Sequence, residues 1–317
     1  MILVVSHDRD EHARAVLAAL RRRGVPARLL DLARFPRDLA ITLSHGDGAG
    51  GPVLAARRGR PLRLDDVSAI WWRRPQPFVL HDELRGLERR AFAWREGREA
   101  FQGMWQSLRC RWVNHPLRDE AASHKPFQLA TAARLGLAVP RTCITSDPGR
   151  ARAFVSGLGP GRAVVKSLQA TAADWRPTRI VGPRELRRLE RARFAPIIFQ
   201  EYVPGVDVRV TAVGRRLFAA AIDARDTDHP ADFRPVLDQA RVDPIALPGP
   251  LAAGLHRLVR QLGLAYAAID LRRSESGRWF FLEANPSGQW IFVEERTAQP
   301  ITEAVAALLA GASSRRD

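Results

Sequence analysis

The chain has 317 residues, 46% hydrophobic and 26% charged, with a formal net charge of +16 and two cysteines. That length accommodates two or three packed units, and the balance fits a globular protein rather than a disordered or fibrous one. No apolar run approaches the roughly 20 residues of a membrane span, so no membrane partner is expected. Cys110 and Cys143 follow no metal or disulfide spacing, which points to a reducing cytoplasm.

The start, MILVVSHDRDEHARAVLAALRRRG, has no basic leader ahead of its apolar run. It reads as a buried strand and an amphipathic helix rather than a signal peptide. ARLLDL, SAIWWRRP and the long RRAFAWREGREAFQGMWQSL continue the alternation to about residue 115. Such alternation predicts a parallel sheet with crossover helices. No GxGxxG follows the first strand, so a dinucleotide fold is not supported. In WWRRPQP a strand ends in Arg73 and Arg74 before Pro75. Two arginines there either clamp a carboxylate or form a solvated edge.

Near residue 116 the pattern changes. HPLRDEAASHKPFQLATAARLGLAVPRTCIT predicts a helix stopped at Gly136, then a strand entered at Pro140. Lys125 falls early in that helix, where backbone N–H groups and the dipole favour anions. GPGRAVVKSLQ reads as a buried strand ending in Lys166, ATAADWRPTRIV as a polar loop or hairpin, and PRELRRLERARF as a charged helix. APIIFQEYVPGVDVRVTAVGRRLFAAAIDAR then reads as several antiparallel strands. Of the 50 basic residues only Lys125 and Lys166 are lysines. An ammonium is a compact point charge that reaches a crowded phosphate where the broad guanidinium fork does not fit. The plain alternative is two surface lysines.

Within IIFQEYVPGVDVRV, a strand leaving its sheet at Glu201 offers backbone groups to a flat ring, and Asp207 follows a Pro-Gly turn. Asp207 and Arg209 share a strand face, as a functional pair or a surface pair. Downstream, AYAAIDL and FFLEANPSGQW flank the polar loop RRSESG and predict an antiparallel hairpin. Glu283 and Asn285 lie on one face, and Asp270 is near the end of the partner strand. Three hard oxygen donors at one sheet end suit Mg²⁺; the alternative is a solvated hairpin.

This ordered set, with Lys125, the strand-end Lys166, QEYVPG and then Asp270-x12-Glu283-x-Asn285, resembles the ATP-grasp ligases from about 115 to 310. The resemblance implies an α/β N-terminal pre-ATP-grasp domain over 1–115 with a parallel sheet. Two α+β subdomains would follow, a central one over 116–195 and a C-terminal one over 196–317. It implies ATP and two Mg²⁺ ions: Lys125 and Lys166 on the phosphates, Gln200, Glu201, Tyr202 and Val203 at the adenine, Asp207 on the ribose, and Asp270, Glu283 and Asn285 on the metal. SHKPFQLATAARLGLAVPRT, GVDVRV and FLEANPSGQWIFVEERT further resemble the graspetide synthetases, the microviridin-type maturases of ribosomal peptides. Those enzymes phosphorylate a Glu or Asp side chain of a precursor peptide, and a Ser, Thr or Lys side chain then closes an ω-ester or ω-amide ring. Their D-x-R pair falls on Asp207 and Arg209, with Arg209 expected to stabilise the acyl phosphate and the tetrahedral intermediate. A departure is the glycine-free SLQATAADW after the second lysine. That stretch would cover phosphate differently or dock peptide.

The charge of +16 suits an acidic precursor peptide, with Arg73 and Arg74 expected as part of the substrate surface. Coding bias is the bland reading. No basic-aromatic nucleic-acid module appears, so nucleic acid is disfavoured. A homodimer is compatible with the sequence. Two alternatives stay open: an ATP-grasp carboxylate–amine ligase acting on a small molecule or adding amino acids to a protein tail, and a non-catalytic nucleotide- or peptide-binding module.

Overall fold

The computed structural model describes residues 1–46, 50–56, 60–169 and 177–311. They form two compact units, Met1–Leu117 together with the segment from Pro300, and Arg118–Gln299.

In the first unit, β1 (Ile2–Val5) is fully buried, as its unbroken ILVV run requires of a strand covered on both faces. It leads through α1 (Glu11–Arg22) to β2 (Ala27–Leu30). A small antiparallel sheet of β3 (Leu39–Thr42), β4 (Val53–Ala56) and β5 (Leu62–Arg63) follows. Next come β6 (Ala69–Trp72), α2 (Leu87–Ser107) and β7 (Arg111–Val113). The main sheet is parallel, in the order β2-β1-β6-β7. The chain turns to opposite sides of β1 to reach β2 and β6, so the first unit is the expected α/β sheet with crossover helices.

The second unit opens with two helices where the sequence suggested one: α3 (Pro116–Ser123) and α4 (Lys125–Arg134). The break has a local cause. Pro126 cannot donate a backbone hydrogen bond, and the chain stays extended at His124 with φ −79° and ψ 106°. Lys125 is therefore the first residue of its own helix. A mixed layer follows, with β8 (Thr142–Thr145), α5 (Pro148–Leu158), β9 (Ala163–Lys166), β10 (Arg179–Ile180), α6 (Pro183–Leu186) and β11 (Ile197–Glu201). Its sheet runs β10-β9-β11-β8 and is antiparallel. PRELRRLERARF is not one helix: after α6 it continues as a 3-10 stretch, Leu189–Phe194. The loop or hairpin expected in ATAADWRPTRIV falls largely on residues 170–176, outside the described residues; its end, β10, pairs with β9.

The last sheet holds β12 (Gly205–Val213), β13 (Arg216–Asp223), β14 (Arg241–Pro244), β15 (Tyr266–Ser274) and β16 (Trp279–Asn285), in the order β14-β13-β12-β15-β16. Helix α7 (Gly249–Gln261) covers one face. Its Leu255, Leu258 and Val259 pack with Val208, Val210, Ile269 and Phe281. Strand alternation then turns Asp207, Arg209 and Asp270 to the other face. Helix α8 (Ile291–Thr297) completes the unit. The closing helix α9 (Ile301–Ala310) belongs with the first unit rather than with the strands before it, which moves the 196–317 boundary drawn from sequence. Glu303 accepts from Arg22 at 2.7 Å and Arg23 at 2.9 Å, and Arg111 donates to the Leu308 carbonyl at 3.3 Å. No described helix is long and apolar enough to cross a membrane.

Candidate functional site

The hairpin β15–β16 sets the register on which the site rests. Asp270 lies directly opposite Glu283, and Ala268 opposite Asn285, with an irregularity just after Asp270. Across β12, Arg209 lies opposite Asp270 and Asp207 opposite Arg272. Two glycines allow the close approaches. At Gly205 (φ +150°) a Cβ would lie 2.1 Å from the Arg273 carbonyl oxygen, and at Gly288 it would lie 2.2 Å from the Ala268 Cβ. The turn after β16 is fixed from below: the buried Tyr266 hydroxyl donates to the Gly288 carbonyl at 2.9 Å.

The two carboxylates are wrapped by cations. Arg209 Nε donates to Asp270 Oδ1 at 2.6 Å and its Nη1 to the Gln289 carbonyl at 2.8 Å. Its guanidinium lies 5.7 Å from the Phe233 ring centre and 5.6 Å from that of Phe292. Arg234 Nη2 donates to Glu283 Oε1 at 2.7 Å and to Asp270 Oδ2 at 3.3 Å. Lys125 pairs with Glu283 Oε2. Burial would raise the Glu283 carboxyl, but Lys125, Arg234 and Lys166 outweigh it and hold the group well below the usual carboxylate range. Burial would lower the Arg234 guanidinium, and Glu283 and Asp270 raise it instead.

Gln128 joins the two halves of this arrangement. It is buried on α4, three residues after Lys125. Its amide oxygen accepts from the Ala284 N–H at 2.9 Å and its amide nitrogen donates to the Ala284 carbonyl at 2.7 Å. The side chain thus docks the helix that carries Lys125 onto the strand that carries Glu283.

Lys166, at the end of β9, donates to Gln200 Oε1 at 2.9 Å, and Gln200 Nε2 donates to Thr142 Oγ1 at 2.8 Å. The Gln200 side chain therefore orients a lysine rather than a ring. Burial pushes the Lys166 amine down to about 8; Glu283 opposes this, and Lys125 and Arg234 add to it. The departing strand is partly committed: Glu201 N–H donates to the Arg141 carbonyl, Tyr202 N–H to the Arg162 carbonyl, and Val203 carbonyl accepts from Arg272 Nε. Arg272 also pairs with Asp207 at 2.8 Å. Burial dominates at Asp207 and pushes its carboxyl up to about 6 despite Arg272.

These residues line two adjoining pockets that share Lys166, Thr178, Asp207, Ala231 and Leu282. One holds Lys125, Arg234, Asp270 and Glu283; the other holds Gln200 to Val203 and Arg272. Five cations (Lys125, Lys166, Arg209, Arg234 and Arg272) face five carboxylates (Glu201, Asp207, Asp232, Asp270 and Glu283), so the lining is close to neutral. That balance suits a polyphosphate accompanied by divalent cation. Asn285 is exposed, and its Oδ1 accepts from Ser287 N–H at 2.9 Å, capping the turn. No group of three or more His, Cys, Asp and Glu among the described residues forms a metal centre. The oxygen set that would suit Mg²⁺ is the facing carboxyl groups of Asp270 and Glu283, with the Asn285 amide two residues along β16.

Arg73 and Arg74 lie in the first unit. Arg73 is fully buried, and its Nε donates to Asp10 Oδ2 at 3.2 Å, beside Ser6 and His12. The expectation that it presents charge to a peptide is corrected: a pair with both members buried anchors β6 to the start of α1. Arg74 is half-buried. Sequence reasoning missed Arg234, Arg272, Gln128 and Thr142. Arg272 alone left a signal, two residues from Asp270 on the same strand face.

A family model described as the MvdD pre-ATP grasp domain matches residues 1–120. A probable alpha-L-glutamate ligase of Xanthomonas campestris pv. campestris (strain B100) is 30% identical over 183 residues, which is 56% of this chain and 60% of that protein, less than two thirds of the relative's length. The crystal structure of macrocyclase MdnC bound with precursor peptide MdnA, from Microcystis aeruginosa MRC, is 30% identical, spans 98% of this chain and 99% of that one, and superposes with a TM-score of 0.85. The ATP-grasp ligase PsnB, complexed with minimal precursor, Mg and ADP, is 26% identical over 99% of this chain and 97% of its own, with a TM-score of 0.81.

Proposed function

The chain belongs to the ATP-grasp ligases of the peptide-macrocyclase kind, and from that premise we propose that it closes rings in a ribosomally made precursor peptide at the expense of ATP. The reading is that a Glu or Asp side chain of the peptide becomes an acyl phosphate, and a Ser or Thr hydroxyl or a Lys amine of the same peptide displaces the phosphate. The observation that supports it most is the pairing of Asp270 with Glu283 across β15–β16, surrounded by Lys125, Arg209 and Arg234.

A carboxylate is a poor acyl donor at neutral pH, so the protein's task is to place groups and balance charge. Lys125 and Lys166 bind phosphate oxygens, and Gln200 and Thr142 hold the Lys166 ammonium in line. Tyr202 and Val203 border the slot proposed for adenine, and Asp207, carried by Arg272, faces the ribose. Asp270, Glu283 and Asn285 would hold Mg²⁺, which when bound would offset phosphate charge. Arg209, fixed by Asp270 and packed beside the Phe233 and Phe292 rings, faces the carboxyl being activated and stabilises the charge that develops there.

The experiment is nucleotide turnover with Mg²⁺, with and without a candidate precursor peptide, a short Thr- and Glu/Asp-rich sequence sought among the reading frames beside the gene. Release of ADP that needs the peptide supports the proposal. Release driven by free glutamate, the chemistry suggested by the match to a glutamate ligase, would replace it with amino-acid addition.

A further inference from the structure

The second unit carries another cavity, of about 940 Å³, lined by Arg215, His256, Arg257, Arg260, Val259 and Leu264 among others. It lies between the β12–β13 turn and the outer stripe of α7. Ala253, His256, Arg257 and Arg260 recur at helical spacing on that stripe, while Leu255, Leu258 and Val259 face the core. Arg215, Arg257 and Arg260 are exposed. Among the described residues none of these three makes an ion pair or side-chain hydrogen bond, and no carboxylate lines the cavity. Exposed arginines without an ion pair recur elsewhere among the described residues, at Arg85, Arg89 and Arg95 for example; the distinguishing feature here is that three of them line one cavity. Three fixed positive charges gathered around an aliphatic floor of Ala253, Val259 and Leu264 form a complement that this chain does not fill itself.

We infer that this cavity docks an acidic, aliphatic segment of the peptide substrate, away from the residues being joined; the inference rests on the peptide reading above. The chemistry favours peptide over nucleic acid. No Phe, Tyr or Trp lines the cavity and His256 is its one aromatic side chain, whereas single-stranded nucleic acid is held by several aromatic platforms interleaved with cations. Carboxylates spaced between aliphatic side chains match both the arginines and the floor. The location suits an anchor rather than a reaction centre. The cavity opens at the far end of β12, five residues or about 17 Å of strand beyond Arg209. Helix α7 also covers the opposite sheet face from Asp207 and Arg209. An extended segment of roughly ten residues spans such a gap.

The test uses a fluorescein-labelled synthetic peptide of alternating Glu and Leu, a Lys-for-Glu version of it, and a single-stranded oligonucleotide of equal charge. Each is titrated by anisotropy into the full chain and into Arg257→Glu/Arg260→Glu. Binding of the acidic peptide should weaken about tenfold or more in the variant and fall with salt in the wild type. Mg·ADP affinity should stay unchanged in the variant, which shows that it is folded. Equal peptide affinity in the two proteins overturns the inference. Tighter binding of the oligonucleotide that is lost in the variant makes the cavity a nucleic-acid site, and a change in sedimentation alone makes it an interface between copies. Wild-type protein that binds the acidic peptide here but never binds Mg·ADP would leave the docking site standing and remove the proposed function.

Discussion

Lys166 couples nucleotide binding to pH in a way that can be worked from the structure. Its amine is pushed from 10.5 to about 8, chiefly by burial. The difference of roughly 2.5 units corresponds to about 3 kcal/mol disfavouring the charged form, an upper figure because the side chain is partly open to the pocket. The sign is fixed by the direction. The folded value lies below the unfolded one, so a charged Lys166 costs stability at neutral pH, and that cost is relieved as pH rises through 8. Phosphate binding needs the charge, so affinity runs the other way. With a value near 8 the amine is about 90% charged at pH 7 and about 10% at pH 9. The dissociation constant of Mg·ADP, followed by calorimetry from pH 6.5 to 9.5, should be flat up to about 7.5 and then rise, approaching tenfold per unit above 8. Lys166→Arg removes the titration, so its profile should be flat. Its affinity should be weaker than the wild type at pH 7, because the broad guanidinium cannot take the slot beside Gln200. A wild-type profile that stays flat to pH 9.5, or an arginine variant that binds as tightly at pH 7, would refute the reasoning.

Glu283→Gln should leave the fold intact and lower peptide-dependent turnover by roughly a hundredfold or more, since it removes one of two facing carboxylates and frees Lys125 and Arg234; near-normal turnover at saturating Mg·ATP would take Glu283 out of the site. Asp207→Asn addresses a carboxyl raised to about 6. Such a group favours the fold below about pH 4 and loses that advantage as pH climbs through 6, by up to about 3 kcal/mol. In urea titrations the stability difference should therefore move in favour of the variant between pH 4 and 7, and a pH-independent difference would contradict this. Arg73→Ala should cost about 3–5 kcal/mol by stranding buried Asp10, whereas half-buried Arg74→Ala should stay within about 1 kcal/mol; thermal melts of the two variants separate them.

The hairpin that carries Asp270 and Glu283 was legible because its signals are local: two apolar alternating runs, a polar loop of hairpin length, and a period of two that fixes which side chains share a face. The parallel sheet of the first unit was legible from strand–helix alternation in the same way. The break at His124 is also local, and Pro126 was the signal to read; the charge pattern of the surrounding run hid it. Arg234 was out of reach for a different reason. It comes from a 3-10 turn between β13 and β14, and nothing in its neighbourhood ties it to two carboxylates that lie 36 and 49 residues downstream. Gln128 looked like an ordinary helix residue, because its partner is the backbone of a strand 156 residues away. Arg73 misled because a strand-end arginine before proline reads the same whether it faces water or an aspartate 63 residues upstream. Only the packing of β1 against β6 decides that, and the partner proved to be Asp10.

The central claim is ring closure on a peptide, and mass spectrometry reads it without ambiguity. The full chain is incubated with Mg·ATP and candidate precursor peptides rich in Thr and Glu or Asp, with Glu283→Gln in parallel. The account predicts that wild-type protein removes the mass of one water from the peptide for each ring. Fragmentation should place each link between a Glu or Asp side chain and a Ser, Thr or Lys side chain, and the variant should leave the peptide unchanged. A peptide that gains the mass of added amino acids, or that stays unmodified while ATP is consumed, would contradict it.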